Sequence, residues 1–325
     1  MALESALMNL FNVLVYPGVV FLIVLSLFYQ WVDRRFYARL QNRFGPIYTG
    51  PAGILQPLAD LIKLLSKEDI EPSAADKPFF RAVPIMIVAL PITALLVIPV
   101  TGTYSIINFE GDLIFIIFIM TIVAMLAFLG GWASTNMFST LGGVRAALQT
   151  LGYEVPMAIS FMGPAILAQS LSISKIVMWQ WSNGVWTILL NPLGFAIVII
   201  AFLAELERIP FDIPEAETEI VAGWQTEYSG RKLALIRLAF DLELVLSSGL
   251  AVALFLGGPT GPILPGIFWF VVKTIIFVLI ISGLRALFAR FRIDQMVSGC
   301  WRYLVPLSII QIIILELSLG WGSLG

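Results

Sequence analysis

The chain of 325 residues has no histidine and a single cysteine, Cys300. Iron–sulfur clusters need several thiolates, and haem is usually held by histidine, so neither is expected on this chain. Zinc sites built from His and Cys are excluded in the same way. Histidine-based acid–base or nucleophilic catalysis is excluded too. Chemistry here has to rest on carboxylates, Lys, Arg, Tyr and shape. One cysteine cannot form an internal disulfide and says nothing of the redox compartment. Charge is also scarce: 12% of residues are Asp, Glu, Lys or Arg, against about 25% in soluble domains. The net charge of −2 gives no sign of a nucleic-acid partner.

What fills the space is apolar sequence, 59% of the chain. Several stretches are apolar on every face, which lipid tolerates and water does not. A membrane helix needs roughly 20 apolar residues. Eight such segments are predicted, at 11–31, 83–101, 113–132, 155–172, 187–206, 238–258, 265–283 and 303–320. The expectation is an all-α, polytopic membrane protein with about eight spans, forming a single integral membrane domain over 1–325. The first span has no basic region before it and is read as retained rather than as a cleaved signal.

All but two of the 19 Lys and Arg residues fall in or beside alternate loops; the two are Lys175 and Lys273. By the positive-inside rule those loops face the cytoplasm and both termini face outside, in a cell membrane. The first basic segment, 33–82, contains Gly45-Pro46, Gly50-Pro51 and Gly53, which mark turns. Apolar residues at 54, 55, 58, 61, 62 and 65 then repeat with helical spacing. That predicts an amphipathic helix on the membrane surface, or an interfacial connector.

Acids form a second pattern. Glu154 opens the fourth predicted span, as a dipole partner or as part of an ion path. The run from Glu205 to Glu219 holds Glu205, Glu207, Asp212, Glu215, Glu217 and Glu219 with only Arg208 among them. If helical throughout, Asp212, Glu215 and Glu219 would share a face. Crowded carboxylates raise at least one pKa, which suits groups that take up and release protons. Asp241 has Arg237 at i−4 as a local partner, whereas Glu243, roughly 200° away on the helix, has none. Lys273 is an intramembrane base near enough to its span's outer half to snorkel.

These segments resemble the H subunit of respiratory complex I and the equivalent M-type subunit of membrane-bound nickel–iron hydrogenases. Asp33-Arg34-Arg35 and Ala38 to Pro46 are similar to its E-R-R…A-x-x-Q-x-R-x-G-P signature. Gly53 to Asp60 is similar to G-x-L-Q-P-x-A-D, and Arg145 to Glu154 to R-A-A-x-Q-x-x-x-Y-E. The longest match runs from Ala204-Glu205 to Tyr228-Ser229-Gly230, and Arg292 with Asp294-Gln295 resembles the last basic loop.

The resemblance implies an eight-helix subunit joining a peripheral electron-transfer arm to an ion-pumping membrane arm. No cofactor is implied on this chain; iron–sulfur clusters, and a nickel–iron centre in the hydrogenases, belong to partners. Implied partners are peripheral iron–sulfur subunits of hydrogenase or quinone-reductase type on the cytoplasmic face, antiporter-like and small membrane subunits, and the bilayer. Junction residues carried over are Arg34, Arg35, Phe36, Arg43, Gln56 and Asp60, around quinone where quinone is the substrate. The ion-coupling acids carried over are Glu154, Glu205, Asp212, Glu215, Glu219 and Glu227, with Glu243 added from its unpaired position.

Asp33 stands where Glu is usual, Phe44 where Arg is frequent, and Ile209 where Ala is usual. Arg208-Ile209-Pro210 is closer to the hydrogenase-type relatives. The leading expectation is therefore a ferredoxin-driven, hydrogenase-type complex coupled to proton or sodium transport. The alternative is a quinone-binding H subunit of a donor:quinone oxidoreductase. A free-standing secondary transporter is the alternative of another class, but no internal repeat supports it.

Overall fold

The computed structural model describes residues 2–322. Fourteen α-helices follow one another among them, with no strand. The first is α1 (Ala2–Leu14), followed by α2 (Val19–Leu40), α3 (Gln56–Ser66), α4 (Lys77–Leu95) and α5 (Asp112–Ala133). Then come α6 (Met137–Ala168), α7 (Ile173–Asn183), α8 (Thr187–Leu190), α9 (Pro192–Glu205) and α10 (Glu217–Ile220). The last are α11 (Gly230–Phe255), α12 (Gly266–Leu287), α13 (Ile293–Gly299) and α14 (Val305–Gly322), the final two joined by a π turn at Cys300–Leu304. Among the described residues, seven helical stretches are long and apolar enough to cross a membrane.

The fifth expected span, 187–206, is divided. Asn191 caps α9 by accepting a hydrogen bond from Gly194 N at 2.9 Å, and Pro192 takes the first helical position. The 14 residues of α9 span about 21 Å, short of a bilayer core. Hydropathy alone does not register a cap. The break is buried, because the Asn191 amide donates to Gln311 Oε1 of α14 at 2.7 Å.

Span four also differs from expectation. α6 runs 32 residues from Met137, so Glu154 lies mid-helix and the dipole explanation for it is withdrawn. The Arg145 to Glu154 motif therefore belongs to one rod that enters the bundle. The expected surface helix does form, as α3. Its Leu58, Ile62 and Leu65 are exposed while it packs on α2 and α11. That is how a helix lying against an apolar solvent behaves.

α11 is the axis of the bundle. Its most apolar 18-residue stretch is 94% buried, where the next most buried span, α6, reaches 56%. α2, α4 and α12 pack around it. At its N-terminal end, Lys232 donates to Asp69 at 2.7 Å and Glu71 at 2.8 Å. Arg81 holds Glu71 from the other side at 2.7 Å. These bonds keep the Glu71 carboxylate low, at about 2. They clamp the 67–76 connector to the end of the bundle that carries the basic loops.

Gly223 closes the neighbouring loop. Its φ is +56°, and a Cβ there would come 1.8 Å from the Pro214 carbonyl oxygen. Only glycine allows that approach. Gly142 of α6 lies against the same turn, where a Cβ would come 2.4 Å from Trp224 N. The loop of acids is thereby pressed onto α6.

Candidate functional site

At the basic end, α2, the loop after α9, α11 and α12 enclose a cavity of about 420 Å³. Its wall carries Arg34, Arg208, Arg237 and Arg285 together with Asp33, Glu207, Asp212, Glu215 and Asp241. A second opening of about 230 Å³ lies between α2, α3 and α11. It shares Gln30, Arg34, Arg237 and Asp241 with the first, and adds Leu27, Pro57, Leu61, Leu64 and Leu238. Asp60 and Lys63 complete its wall, so a polar chamber adjoins a smaller space of mixed apolar and charged lining beside the surface helix.

Asp33 organises the chamber. It is 4% exposed. It accepts from Arg208 at 3.0 Å, from Arg285 at 3.5 Å and from Ser282 Oγ at 2.7 Å. Arg285 also stacks on Tyr37 at 4.4 Å. Three elements distant in sequence are joined through one carboxylate, satisfying a buried charge that would otherwise be costly.

Among the six expected junction residues, Arg34 and Asp60 line the passage and pair at 2.6 Å. Gln56 does not line it but donates to Asp60 at 2.9 Å, fixing the carboxylate. Burial pushes the Asp60 carboxyl up, but the bonds from Arg34 and Gln56 and the charges of Arg34 and Lys63 outweigh it and hold it below the usual range. Arg35 instead lies over the Trp31 ring at 5.3 Å, and Phe36 faces Gly283 of α12. Arg43 is exposed. These three line neither space.

The acids of the 205–219 run do not share a helix face, contrary to the periodic reading. α10 is four residues long, and the segment before it is a loop, because Pro210 and Pro214 interrupt helical bonding. Each of the three meets a polar or basic side chain from elsewhere. Asp212 pairs with Arg290 at 2.5 Å and Glu219 with Arg145 at 2.6 Å. Glu215 accepts from Gln225 and lies 3.9 Å from Arg237. Arg208, their only basic neighbour in sequence, turns away to Asp33. Burial raises the Glu215 carboxyl, opposed by Arg237 and assisted by Asp212. Arg237 is therefore drawn to Glu215, and among the described residues no ion pair joins it to Asp241.

Deeper in lies a cavity of about 30 Å³ lined by Gln149, Tyr153, Glu205, Glu207, Phe240 and Glu243 among others. Glu243 is 6% exposed and its Oε1 has no hydrogen-bond partner. Glu205 ends α9 beside Tyr153. Glu154 takes a hydrogen bond from Thr121 of α5, and Glu227 takes one from Asn136. Glu205 and Glu243 are thus brought together, whereas Glu219 and Glu227 stand apart at the basic face. Lys273 is not free to snorkel. Its ammonium donates to the carbonyls of Leu256, Gly258 and Thr260 at 2.6, 3.0 and 2.8 Å, and lies 5.1 Å from the Trp186 ring. It caps the far end of α11.

Asp33 and Glu207 belong to the site and were not among the expected residues. Asp33 stood inside the quoted Asp33-Arg34-Arg35 motif, but its partners lie 175 and 252 residues away. Glu207 carried no local signal, since its conformation is set by how α9 ends.

The family model described as NADH dehydrogenase matches residues 12–316. Three curated proteins, each named as the H subunit of an NADH-quinone oxidoreductase, are similar over nearly the whole chain. The protein from Dehalococcoides mccartyi is 40% identical over 294 residues, covering 90% of this chain and 82% of its own. That from Geobacter sulfurreducens is 40% identical over 315 residues, 94% of each chain. That from Thermomicrobium roseum is 40% identical over 318 residues, 93% of each.

Proposed function

Because the chain belongs to the NADH dehydrogenase family of membrane subunits, we propose that it forms the quinone-side junction of a complex I-like oxidoreductase and passes protons inward through its buried acids. The relatives are named as quinone oxidoreductase subunits. They favour the reading placed second on sequence, and nothing in them supports the hydrogenase-type reading drawn from Arg208-Ile209-Pro210. The observation that carries the proposal is the polar chamber sharing a wall with a second space, where four leucines and Pro57 stand beside charged residues.

A quinone has an apolar tail and a polar head, and the two spaces match those halves. About 420 Å³ lies within the usual range of small-molecule sites. The passage beside α3 would admit the tail from the bilayer. Arg34 and Asp60, fixed by Gln56, would sit at its mouth. Reducing quinone to quinol takes two electrons and two protons. The electrons come from iron–sulfur partners docked on the basic face, which the proposal places in the cytoplasm with both termini outside. This chain supplies positive charge around the reduced head group and acids that return protons. Glu215, whose carboxyl burial raises above the ordinary range, is the acid on the chamber wall placed to give one up. Glu205 and Glu243 lie beyond it, towards the bundle axis.

The test is an acceptor assay on the intact, gently solubilised complex. Quinone reduction is expected, with little or no hydrogen evolved. Hydrogen evolution without quinone reduction would return the hydrogenase-type reading to first place. A chain that purifies alone and exchanges ions in vesicles would favour the transporter instead.

A further inference from the structure

Glu207 occupies an unusual backbone position. α9 ends at Glu205, and Glu207 follows with φ +48°. Glu207 N donates to the Ala204 carbonyl at 3.2 Å, and Arg208 N to the Leu203 carbonyl at 3.0 Å. This pair of bonds is the Schellman arrangement, whose left-handed residue is ordinarily glycine. Glutamate there carries a backbone cost that the helix ending does not require.

The side chain lies in the partition between two cavities. Among the described residues, only Glu207 and Phe240 line both the 420 Å³ chamber and the 30 Å³ cavity. Phe240 packs against Trp224, with ring centroids 6.2 Å apart, and carries no exchangeable side-chain proton. Glu207 Oε2 is sealed from solvent and has no hydrogen-bond partner. Among the other unpartnered buried oxygens are Glu243 Oε1 and Gln149 Oε1, on side chains 6% and 2% exposed. Both residues line the small cavity. Three unsatisfied acceptors around about 30 Å³ have the size and polarity that one water molecule needs.

The geometry points to a single ordered water in the small cavity, held by Gln149 and Glu243, with Glu207 as the acid that exchanges protons between that water and the chamber. The inference rests on the proton-carrying half of the function proposed above and adds the link between its two ends. The step balances. Glu207 gives its proton to the water as the water gives one of its own to the Glu243 carboxylate, and Glu207 is reprotonated from the chamber. Burial, and then the like charges of Glu215, Glu243, Asp212 and Glu205, push the Glu207 carboxyl well up, so that it holds a proton to give.

The test uses the intact complex in vesicles and reads protons moved per electron pair. Glu207→Gly places the favoured residue at the helix end, so the variant should assemble with thermal stability at least that of the parent. Its proton movement should fall by roughly tenfold or more. Glu207→Asp, which keeps an acid, should recover most of it. A stable Glu207→Gly complex with the native ratio overturns the inference, as does a Glu207→Asp complex as impaired as Glu207→Gly. A density map of the native complex at water resolution gives an independent reading, in which density bridging Gln149 and Glu243 is expected and a dry cavity overturns it. Protons per electron pair can be read with whichever acceptor the complex uses, and the density needs none. A failure of the quinone reading therefore leaves this test standing.

Discussion

Asp33 and Arg208 are 175 residues apart in the chain, and their side chains meet at 3.0 Å in the wall of the polar chamber. Arg285 joins them from α12 at 3.5 Å. The Asp33 carboxylate is therefore what holds two arginines at the chamber.

Replacing it with Asn leaves two half-buried guanidinium groups facing one another without their counter-charge. Asp33→Asn should lower stability by roughly 3 kcal/mol. Asp33→Glu, the residue more usual in the resembling family, should cost less. Thermal unfolding of the detergent-solubilised complex reads both. Equal melting of the native and Asn forms would show that the pairing is ornamental.

Lys273 gives the opposite kind of expectation. All three of its ammonium protons can be assigned to carbonyls at the end of α11. Lys273→Met should therefore destabilise, by roughly 2–3 kcal/mol, while leaving protons moved per electron pair unchanged. A stable Met variant that no longer moves protons would instead make Lys273 part of the path.

The pH dependence follows from opposed shifts. Glu207 and Glu215 have raised carboxyls. The folded state then binds more protons than the unfolded one between the unfolded value, about 4.3, and the raised folded value. Stability of the 205–220 loop should rise as pH falls through that window. Glu71, held at about 2, has the reverse sign. Its contribution is full above about 4.3 and is lost as pH falls towards 2. Hydrogen exchange, corrected for intrinsic rates, should show the acid loop better protected at about pH 5.5 than at about 7.5. The 67–76 connector should show no such gain. Equal protection of the acid loop at both values would contradict the shifts.

How much of this was legible beforehand depended on range. α3 could be read because its apolar spacing is local. The membrane class could be read because lipid selects composition over whole segments. The break before α9 could not, since Asn191 and Pro192 act through a single cap and a contact with Gln311. The acid run was read as a helix face because its bases, Arg145, Arg237 and Arg290, lie in other segments. Glu243 was singled out for having no local partner, and the fold leaves its Oε1 without one. Glu207 was missed because a left-handed helix ending with no glycine has no sequence mark.

Glu205 and Glu243 meet at the inner cavity, and the account rests on protons reaching them when quinone is reduced. The most direct measurement is protons moved per quinone reduced by the intact complex in sealed vesicles, native against Glu205→Gln. The account predicts that the variant assembles and still reduces quinone while the ratio falls clearly below the native value. A Glu205→Gln complex with the native ratio would contradict it.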